Sequence, residues 1–303
     1  MVYDIVIIGG GAAAMTAALY ASRSGNKVKI IERDHFGGQI ADSPKVENFP
    51  TIPSISGLEL SDHMFEQISA LGVEAELDDI LKIEKRDNIF YLTGNYETYL
   101  GKTVIIASGA KHRHLNIPLE DKYTGKGVSY CAVCDGPFYE GKRTLVIGDG
   151  NSALQYTLLL AKTSSKVDLV TLTDKFFADK ALIASLNNLK NVAIHHNMAS
   201  KAFYGNEERL EGVIFENTLN KEQIKIETDG VFVAIGQMPD NDRFSSMVDL
   251  DKGFILTNEN METKTSGLFA AGDCRKKNIR QLVTACNDGA IAALSANKYL
   301  NSL

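Results

Sequence analysis

The sequence predicts an α/β protein of two Rossmann-like, three-layer nucleotide-binding domains, with the second inserted into the first. Two apolar runs, Val2–Ile8 and Arg143–Ile147, are each followed by a glycine loop and a stretch with helical spacing. A strand, a glycine turn and a helix in that order are typical of a sheet that binds a nucleotide at its carboxyl edge. The 303 residues are enough for two domains. We predict a first domain at 1–115 and 244–303, and an inserted domain at 116–243.

The first loop fits the pattern GxGxxA with the residues Gly9-Gly10-Gly11-Ala12-Ala13-Ala14. Gly9 permits the tight turn, Gly11 lets the backbone approach a pyrophosphate, and Ala14 lets helix and strand pack closely. The spacing predicts a helix over 15–24, and the next strand ends at Glu32, where an acid holds a ribose hydroxyl. Such an acid suits an unphosphorylated ribose, as in FAD or NAD.

A pair of cysteines with a neighbouring acid lies shortly before the second glycine loop. Cys131 and Cys134 have the CxxC spacing, which lets two thiols close a disulfide or attack another one. Asp135 is placed to carry the proton that thiol chemistry moves. The alternatives are half of a zinc site or two unpaired core cysteines. Zinc would need a second ligand pair, and Cys274 and Cys286 are too widely spaced to supply it.

Composition limits the classes of partner. Hydrophobic residues make up 44% and charged residues 23%, which is typical of a soluble globular protein, and no apolar run is long enough to span a membrane. The net charge of -6 argues against nucleic acid as the main partner. Four cysteines, two of them isolated, do not form a disulfide framework, which favours a reducing cytoplasm. We expect no metal site.

Seven short segments follow one another in a specific order: Gly9-Gly10-Gly11-Ala12-Ala13-Ala14, Gly37-Gly38-Gln39, Glu47-Asn48, Ala107-Ser108-Gly109-Ala110, Cys131-Ala132-Val133-Cys134-Asp135-Gly136, Ala271-Gly272-Asp273 and Arg280-Gln281. With these segments the chain resembles the low-molecular-weight thioredoxin reductases over almost its whole length. The resemblance implies FAD in the first domain and the redox cysteines in the inserted domain. It also implies a homodimer that reduces thioredoxin.

The resemblance further implies which residues hold FAD. Gly272 and Asp273 would hold the ribityl and phosphate region, and Arg280 and Gln281 would lie beside the isoalloxazine ring. The full cofactor-binding set that we expect is Gly9, Gly11, Ala13, Ala14, Glu32, Arg33, Gly38, Gln39, Asn48, Ser108, Gly109, Gly272, Asp273, Arg280 and Gln281. The sequence does not tell which cysteine attacks thioredoxin.

The second loop, Gly148-Asp149-Gly150-Asn151-Ser152-Ala153, again fits GxGxxA, but its surroundings depart from the family. The family grips the 2′-phosphate of NADPH with a His-Arg-Arg run at the strand end and a further Arg. This chain has Thr171-Leu172-Thr173 and Phe177 there. Each charge-assisted hydrogen bond is worth about 1.5–3 kcal/mol, so losing two or three weakens binding by several powers of ten. Asp149 adds repulsion where a pyrophosphate would lie.

These departures favour reduced ferredoxin as the electron donor, because the chain then resembles the ferredoxin-dependent flavin thioredoxin reductases. Those enzymes keep FAD and the CxxC pair but lack nicotinamide motifs. A flavin can pass single electrons to a two-electron dithiol. The flow would be downhill from a ferredoxin at about -400 mV to thioredoxin at about -270 mV. Arg275, Lys276, Lys277 and Arg280 are the expected docking patch for an acidic ferredoxin.

Two other classes of function stay open. One is an NAD(P)H-dependent thioredoxin or peroxiredoxin reductase, in which the second loop binds the nucleotide by other contacts. The other is a diflavin disulfide reductase or a redox sensor without turnover.

Overall fold

The computed structural model describes residues 1–43, 45–186 and 189–303. It divides the chain into two compact units. Unit 1 comprises Met1–Lys111 and Met238–Leu303, and unit 2 comprises His112–Gln237. The chain therefore crosses between the units slightly earlier, at both points, than the boundaries at 116 and 243 that the sequence predicts. Among the described residues, no helix has both the length and the apolar character needed to cross a membrane.

The first segment of unit 1 alternates strands with helices. Its elements are β1 (Val2–Ile8), α1 (Ala12–Arg23), β2 (Val28–Glu32), α2 (Gly57–Ser69), β3 (Glu74–Leu77), β4 (Ile80–Arg86), β5 (Ile89–Gly94) and β6 (Thr98–Ile106). The predicted first strand is confirmed. Helix α1 begins at Ala12, earlier than the predicted residue 15, because the carbonyl of Gly11 already accepts the N–H of Met15 at 2.9 Å.

Unit 2 begins within the short strand β7 (Lys111–His112). Its elements are α3 (Glu120–Tyr123), β8 (Val128–Ser129), α4 (Ala132–Asp135), β9 (Arg143–Ile147), α5 (Asn151–Leu160), β10 (Lys166–Val170), α6 (Lys180–Leu186), β11 (Val192–His195), β12 (Met198–Gly205), β13 (Leu210–Asn217), β14 (Gln223–Glu227) and β15 (Gly230–Val233). The chain returns to unit 1 within β16 (Gln237–Met238), and the last elements of unit 1 are β17 (Leu250–Asp251), β18 (Phe254–Ile255), β19 (Leu268–Ala270) and α7 (Leu282–Leu300).

The sheet of unit 1 has the strand order β3-β2-β1-β6-β5-β4, with β19 paired to β6. β1 runs parallel to both β2 and β6. Apolar side chains of α1, α2 and α7 cover one face, and those of β4, β5 and 244–255 pack on the other. α1 and α7 approach closely because small residues face each other; a Cβ at Gly289 would overlap the carbonyl oxygen of Ala13.

Unit 2 repeats this layering around a parallel sheet of order β11-β10-β9-β15-β8. Helices α4, α5 and α6 cover one face, and the antiparallel sheet β12-β13-β14 packs on the other. Both β8 and β9 run parallel to β15, so their carboxyl ends lie at the same edge. The CxxC segment follows β8 and the second glycine loop follows β9, which places both at that edge. The α/β class with two Rossmann-like sheets is confirmed.

Candidate functional site

The first glycine loop of unit 1 has the backbone that a pyrophosphate needs. Gly9 has a φ of 111°, and a Cβ there would overlap the carbonyl oxygen of Ala107. Above Gly11 the space is open, since a Cβ would meet no atom closer than the Gly37 oxygen at 3.9 Å. Gly11 caps α1 without a side-chain hydrogen bond, which leaves the first N–H groups of the helix available to an anion.

Glu32, the acid at the end of β2, forms a hydrogen bond to this loop. Oε2 of Glu32 accepts the N–H of Gly10 at 2.6 Å, and Oε1 accepts the N–H of Asp34 at 2.9 Å. Glu32 therefore lies beside the loop, where a ribose would lie. Arg33 lines the same cleft as Gly9 and Glu32, and its Nη1 lies 2.7 Å from Oδ2 of Asp240 in an ion pair.

Several other predicted cofactor residues lie within unit 1 at hydrogen-bonding distance of each other or of a neighbour. Asn48 donates to Oε1 of Gln281 at 3.3 Å, which joins two of them across 233 positions of sequence. Ser108 donates to Asn241 at 3.1 Å. Gln281 also caps α7 together with Thr284. Gly38 and Gly109 both have positive φ angles, and Gln39 is exposed.

The loop 272–281 carries an unsatisfied buried acceptor. Among the described residues, Oδ1 of Asp273 has no hydrogen-bond partner, although Nζ of Lys277 lies 3.5 Å away. Burial raises the pKa of Asp273, and the positive charge of Lys277 opposes that rise. The guanidinium of Arg280 stacks 4.2 Å above the ring of Phe254. A hydroxyl-rich ligand such as the ribityl chain of FAD would satisfy the Asp273 oxygen.

The unit 1 site therefore fits FAD on two independent observations. The open cradle above Gly11 at an uncapped helix end suits a pyrophosphate, and the orphaned oxygen of Asp273 suits a hydroxyl donor. Ala13 lies directly beside Gly272, because a Cβ built at Gly272 would be 2.8 Å from the methyl carbon of Ala13.

The prediction of a basic docking patch after Asp273 is wrong. Arg275 and Lys277 are mostly buried and both contact the carboxylate of Asp288, at 3.2 Å and 3.0 Å. Lys276 is paired with Asp251. Asp288 also accepts the N–H of Gly272 at 3.1 Å, so Arg275 and Lys277 organise the loop rather than face a partner. Sequence reasoning missed Asp288; the one signal was an acid on a helix face otherwise rich in alanine.

The second glycine loop copies the backbone of the first. Gly148 has a φ of 149°, and a Cβ there would overlap the carbonyl oxygen of Ala234. Gly150 caps α5 without a side-chain bond. At the end of β10, Thr171 is fully buried and its hydroxyl bonds to the carbonyl of Thr173 at 2.7 Å and to His196 at 2.8 Å.

The side chains around the second loop are not those of a phosphate clamp. Leu172 and Phe177 are 59% and 60% exposed at positions where the family has arginines. Lys175 lies over the ring of Phe177 at 5.3 Å. Asp149 follows the turn glycine, and the N–H of Phe177 bonds to its carbonyl at 2.8 Å.

Cys131 and Cys134 form a disulfide at the start of α4. Sγ of Cys131 accepts the N–H of Cys134 at 3.2 Å. Two sulfurs joined in this way are not free as thiolate ligands, so the zinc alternative does not describe this state. Burial raises the pKa of Asp135, and a hydrogen bond from Ser129 opposes the rise. Sequence reasoning missed Ser129, because nothing in the motif marks it.

A family model described as pyridine nucleotide-disulphide oxidoreductase matches residues 3–289. The thioredoxin reductase of Bacillus subtilis is 40% identical over 100% of this chain and 96% of its own length. This chain belongs to the low-molecular-weight thioredoxin reductase family. The crystal structure of the thioredoxin reductase from Streptococcus pyogenes shares 38% identity and a TM-score of 0.94, covering 100% of this chain and 99% of that one.

Members of the thioredoxin reductase family are FAD flavoproteins, and FAD is the cofactor of this chain. A solved ferredoxin-flavin thioredoxin reductase from Clostridium acetobutylicum is also similar, with 26% identity and a TM-score of 0.55 over 100% of this chain and 98% of that one. The relatives of higher identity do not support membership of the ferredoxin-dependent branch. The ferredoxin donor and the homodimer stay predictions.

Proposed function

We propose that this family member is a thioredoxin reductase that passes electrons from FAD through Cys131 and Cys134 to the disulfide of thioredoxin. The observation that carries the proposal is the Cys131–Cys134 disulfide, formed next to Asp135 in a chain that matches thioredoxin reductases from end to end. We also propose that the protein is a homodimer of the cytoplasm, as the family resemblance and the cysteine count suggest.

The cysteines and Asp135 would carry the exchange. A thiolate of the reduced pair attacks the thioredoxin disulfide, and the second thiolate then displaces thioredoxin as the Cys131–Cys134 bond reforms. The protein's dithiol is oxidised and thioredoxin is reduced. Asp135 takes the proton that the second thiol loses as it becomes a thiolate, and passes it to the leaving sulfur of thioredoxin. FAD, when bound, supplies a carrier that exchanges electrons singly or in pairs.

The residues proposed to hold FAD lie in unit 1. Gly9, Gly11 and the start of α1 would take the pyrophosphate, and Glu32 would take the ribose. Asp273 would accept a hydroxyl of the ribityl chain. The remaining members of the predicted set, Ala13, Ala14, Arg33, Gly38, Gln39, Asn48, Ser108, Gly109, Gly272, Arg280 and Gln281, would line the same site or support its backbone.

Reduced nicotinamide nucleotide is the first candidate for the electron donor. The thioredoxin reductases that match over the whole chain, and a family model with pyridine nucleotide in its description, support it better than they support ferredoxin. The backbone of the second loop also supports it, because Gly148 and Gly150 keep the turn and the uncapped helix end. With no arginine at the 171–173 and 177 positions, we expect little preference for NADPH over NADH.

Reduced ferredoxin is the second candidate, and Leu172, Phe177 and Asp149 favour it because they oppose the binding of a phosphorylated nucleotide. The likeness to the ferredoxin-flavin thioredoxin reductase adds support at lower identity. Anaerobic titration of the flavin with NADPH, NADH and reduced ferredoxin separates the two candidates. Bleaching by either nucleotide at micromolar concentration would exclude the need for ferredoxin, and bleaching by ferredoxin alone would exclude NAD(P)H.

The test of the proposed function is thiol replacement. Cys131→Ser and Cys134→Ser should each abolish reduction of thioredoxin while the protein keeps its yellow flavin, because one sulfur cannot complete the exchange. Cys286→Ser is the matched control, since Cys286 is a free thiol in α7. Turnover retained in both CxxC variants would contradict the proposal. A second flavin per chain would indicate the diflavin alternative, and no turnover with any donor would indicate the redox sensor.

A further inference from the structure

Ser129 is a buried hydroxyl residue beside the redox cysteines. It ends β8, two residues before Cys131, and only 6% of it is exposed. Its Oγ donates a hydrogen bond to Oδ2 of Asp135 at 2.6 Å and accepts one from the N–H of Cys131 at 3.0 Å. One hydroxyl therefore joins the first redox cysteine to the acid that follows the second.

The direction of this hydrogen bond follows from the geometry. A hydroxyl has one proton, and the competing acceptor, the carbonyl oxygen of Cys131, lies at 3.4 Å. A separation of about 2.5–2.7 Å is typical of a hydroxyl bonded to a charged carboxylate. The proton of Ser129 therefore points at Asp135 and stabilises its ionised form.

The other groups that face Asp135 do not offer it a positive charge. Tyr139 follows it in the turn 136–139, and Tyr156 projects from α5, which packs on α4. Burial, with the charge of Asp135 as a second cause, raises the pKa of Tyr139 to about 12 and raises that of Tyr156. Both tyrosines are therefore neutral near pH 7. Within the described ranges, no lysine, arginine or histidine forms an ion pair with Asp135. Ser129 is thus the group that counteracts the burial of the acid.

The backbone around Ser129 is fixed from two sides. Ser129 lies opposite Phe232 in the parallel pairing of β8 with β15. On the other side, the hydroxyl of Tyr156 donates to the carbonyl of Tyr130 at 3.2 Å. The hydroxyl of Ser129 is therefore held by the sheet, and Asp135 takes its orientation from a rigid element.

We propose that Ser129 is a positioning residue that holds the carboxylate of Asp135 beside the dithiol and keeps it able to exchange a proton there. The inference rests on the proposed function, in which Asp135 carries that proton. As the protein's S–S bond forms and the substrate's breaks, the proton of a protein thiol passes through Asp135 to the departing substrate thiolate. Ser129 itself stays outside the exchange of sulfur atoms.

The experiment compares two buried serines of unit 2. Ser129→Ala removes the bonds to Asp135 and Cys131. Ser164→Ala is the matched control, because Ser164 is also 6% exposed and its hydroxyl accepts from Thr144 at 3.1 Å. Two quantities are followed against pH on the flavin-loaded protein. One is the alkylation rate of the reduced thiols by iodoacetamide, and the other is the single-turnover rate of thioredoxin reduction. Each rate, plotted against pH, should show an inflection where a group near the dithiol titrates. The inflection that is absent in Asp135→Asn is assigned to Asp135.

Ser129→Ala should move that inflection to higher pH by about one unit in both profiles, because a lost hydrogen bond to a charged acceptor is worth at least that much. The single-turnover rate should fall by about tenfold. Ser129→Thr, which keeps the hydroxyl, should restore both quantities, and Ser164→Ala should change neither.

An inflection unmoved in Ser129→Ala, or moved equally in Ser164→Ala, would overturn the proposal. If Asp135→Asn removes no inflection, Asp135 does not carry the proton, and the proposed role of Ser129 is then also wrong. The alkylation profile needs no thioredoxin. A shift seen there without thioredoxin turnover would therefore support Ser129 and contradict only the proposed substrate.

Discussion

The two glycine loops have nearly the same backbone and different surroundings. Gly9 and Gly148 both have positive φ angles, and a Cβ at either would overlap the carbonyl oxygen of the residue that directly follows a neighbouring strand. Gly11 and Gly150 both cap a helix without a side-chain hydrogen bond, and each has open space above it. The turn geometry is therefore a property of the repeated strand–loop–helix unit and does not identify the ligand.

The side chains around the loops make the difference. Glu32 in unit 1 accepts a loop N–H, whereas Thr171 at the matching place in unit 2 bonds to His196 and its own turn. Gly10 corresponds to Asp149, and the segment that pairs with the loop carries Gly37 in one unit and Phe177 in the other. Because the backbone is shared, the side chains at the strand end are the part of each site that can distinguish one ligand from another.

The largest effect is expected from placing a glutamate at the glycine that caps the helix after each loop, first in unit 1 and then in unit 2. Gly11→Glu should yield colourless protein, because Gly11 has a φ of -81° that any residue adopts, and the new carboxylate would lie where we propose that the pyrophosphate binds. Two like charges at 4 Å cost about 4 kcal/mol at an effective dielectric of 20, which is about a thousandfold in FAD affinity. The measurement is the flavin absorbance of the purified protein, followed by titration with FAD.

Gly150→Glu is the matched control for that experiment. Gly150 has a φ of -94° and the same open space, so the variant should fold and stay yellow. It should lose flavin reduction by NAD(P)H if the second loop takes the nucleotide. Normal flavin content in Gly11→Glu would contradict the assignment of FAD to unit 1.

The fold could be predicted largely because its signals are local. β1 and β9 have the bounds that the apolar runs predict. The start of α1 was not predicted correctly, because an all-alanine first turn has no amphipathic period and a glycine cap has no side chain to mark it. The glycine loops and the CxxC pair were also visible, since each is a contiguous motif.

The parts of the site that could not be predicted depend on tertiary contacts. The cations near residue 276 have the sequence of a basic patch, but Asp288, eleven or more positions away, neutralises Arg275 and Lys277. The bond from Ser129 to Asp135 exists because α4 is a single turn that brings the acid back towards the end of β8. Neither contact has a motif.

A smaller effect is expected from introducing arginines after β10 in unit 2, at positions where the family contacts the 2′-phosphate of NADPH. Leu172→Arg with Thr173→Arg should lower the KM for NADPH by about tenfold and leave that for NADH unchanged, because one new charge-assisted bond to the 2′-phosphate is worth about 1.5 kcal/mol or more. Stopped-flow reduction of the flavin by each nucleotide measures both values.

Leu219→Arg serves as the control, since Leu219 is another exposed leucine of unit 2, at 77%, outside the loop. It should change neither KM, because we expect the lower KM for NADPH to come from a direct bond to the 2′-phosphate and not from a general increase in positive charge. A wild-type protein that already prefers NADPH tenfold would show that other residues bind the 2′-phosphate. The residues at 171–173 and 177 would then not determine the preference between the two nucleotides.

The smallest effect should come from Asp149, the one residue of the second loop whose charge opposes a pyrophosphate. Asp149→Gly recreates the middle glycine of the first loop. Removing a like charge at about 4 Å in a water-like medium is worth about 1 kcal/mol, so the KM should fall by about fivefold for NADH and NADPH alike, because they share the pyrophosphate. The gain should shrink as salt rises, since screening acts within about 8 Å at physiological ionic strength.

Asp149→Asn separates charge from shape in this last experiment. The amide keeps the size of the side chain, so it should reproduce most of the gain if repulsion is the cause. Asp174→Asn removes an exposed acid beyond the strand end and should have little effect. A gain in Asp149→Gly that Asp149→Asn lacks would mean that the loop backbone limits nucleotide binding. Conformational freedom, and not charge repulsion, would then be the difference between the two loops that affects binding, despite their matching angles.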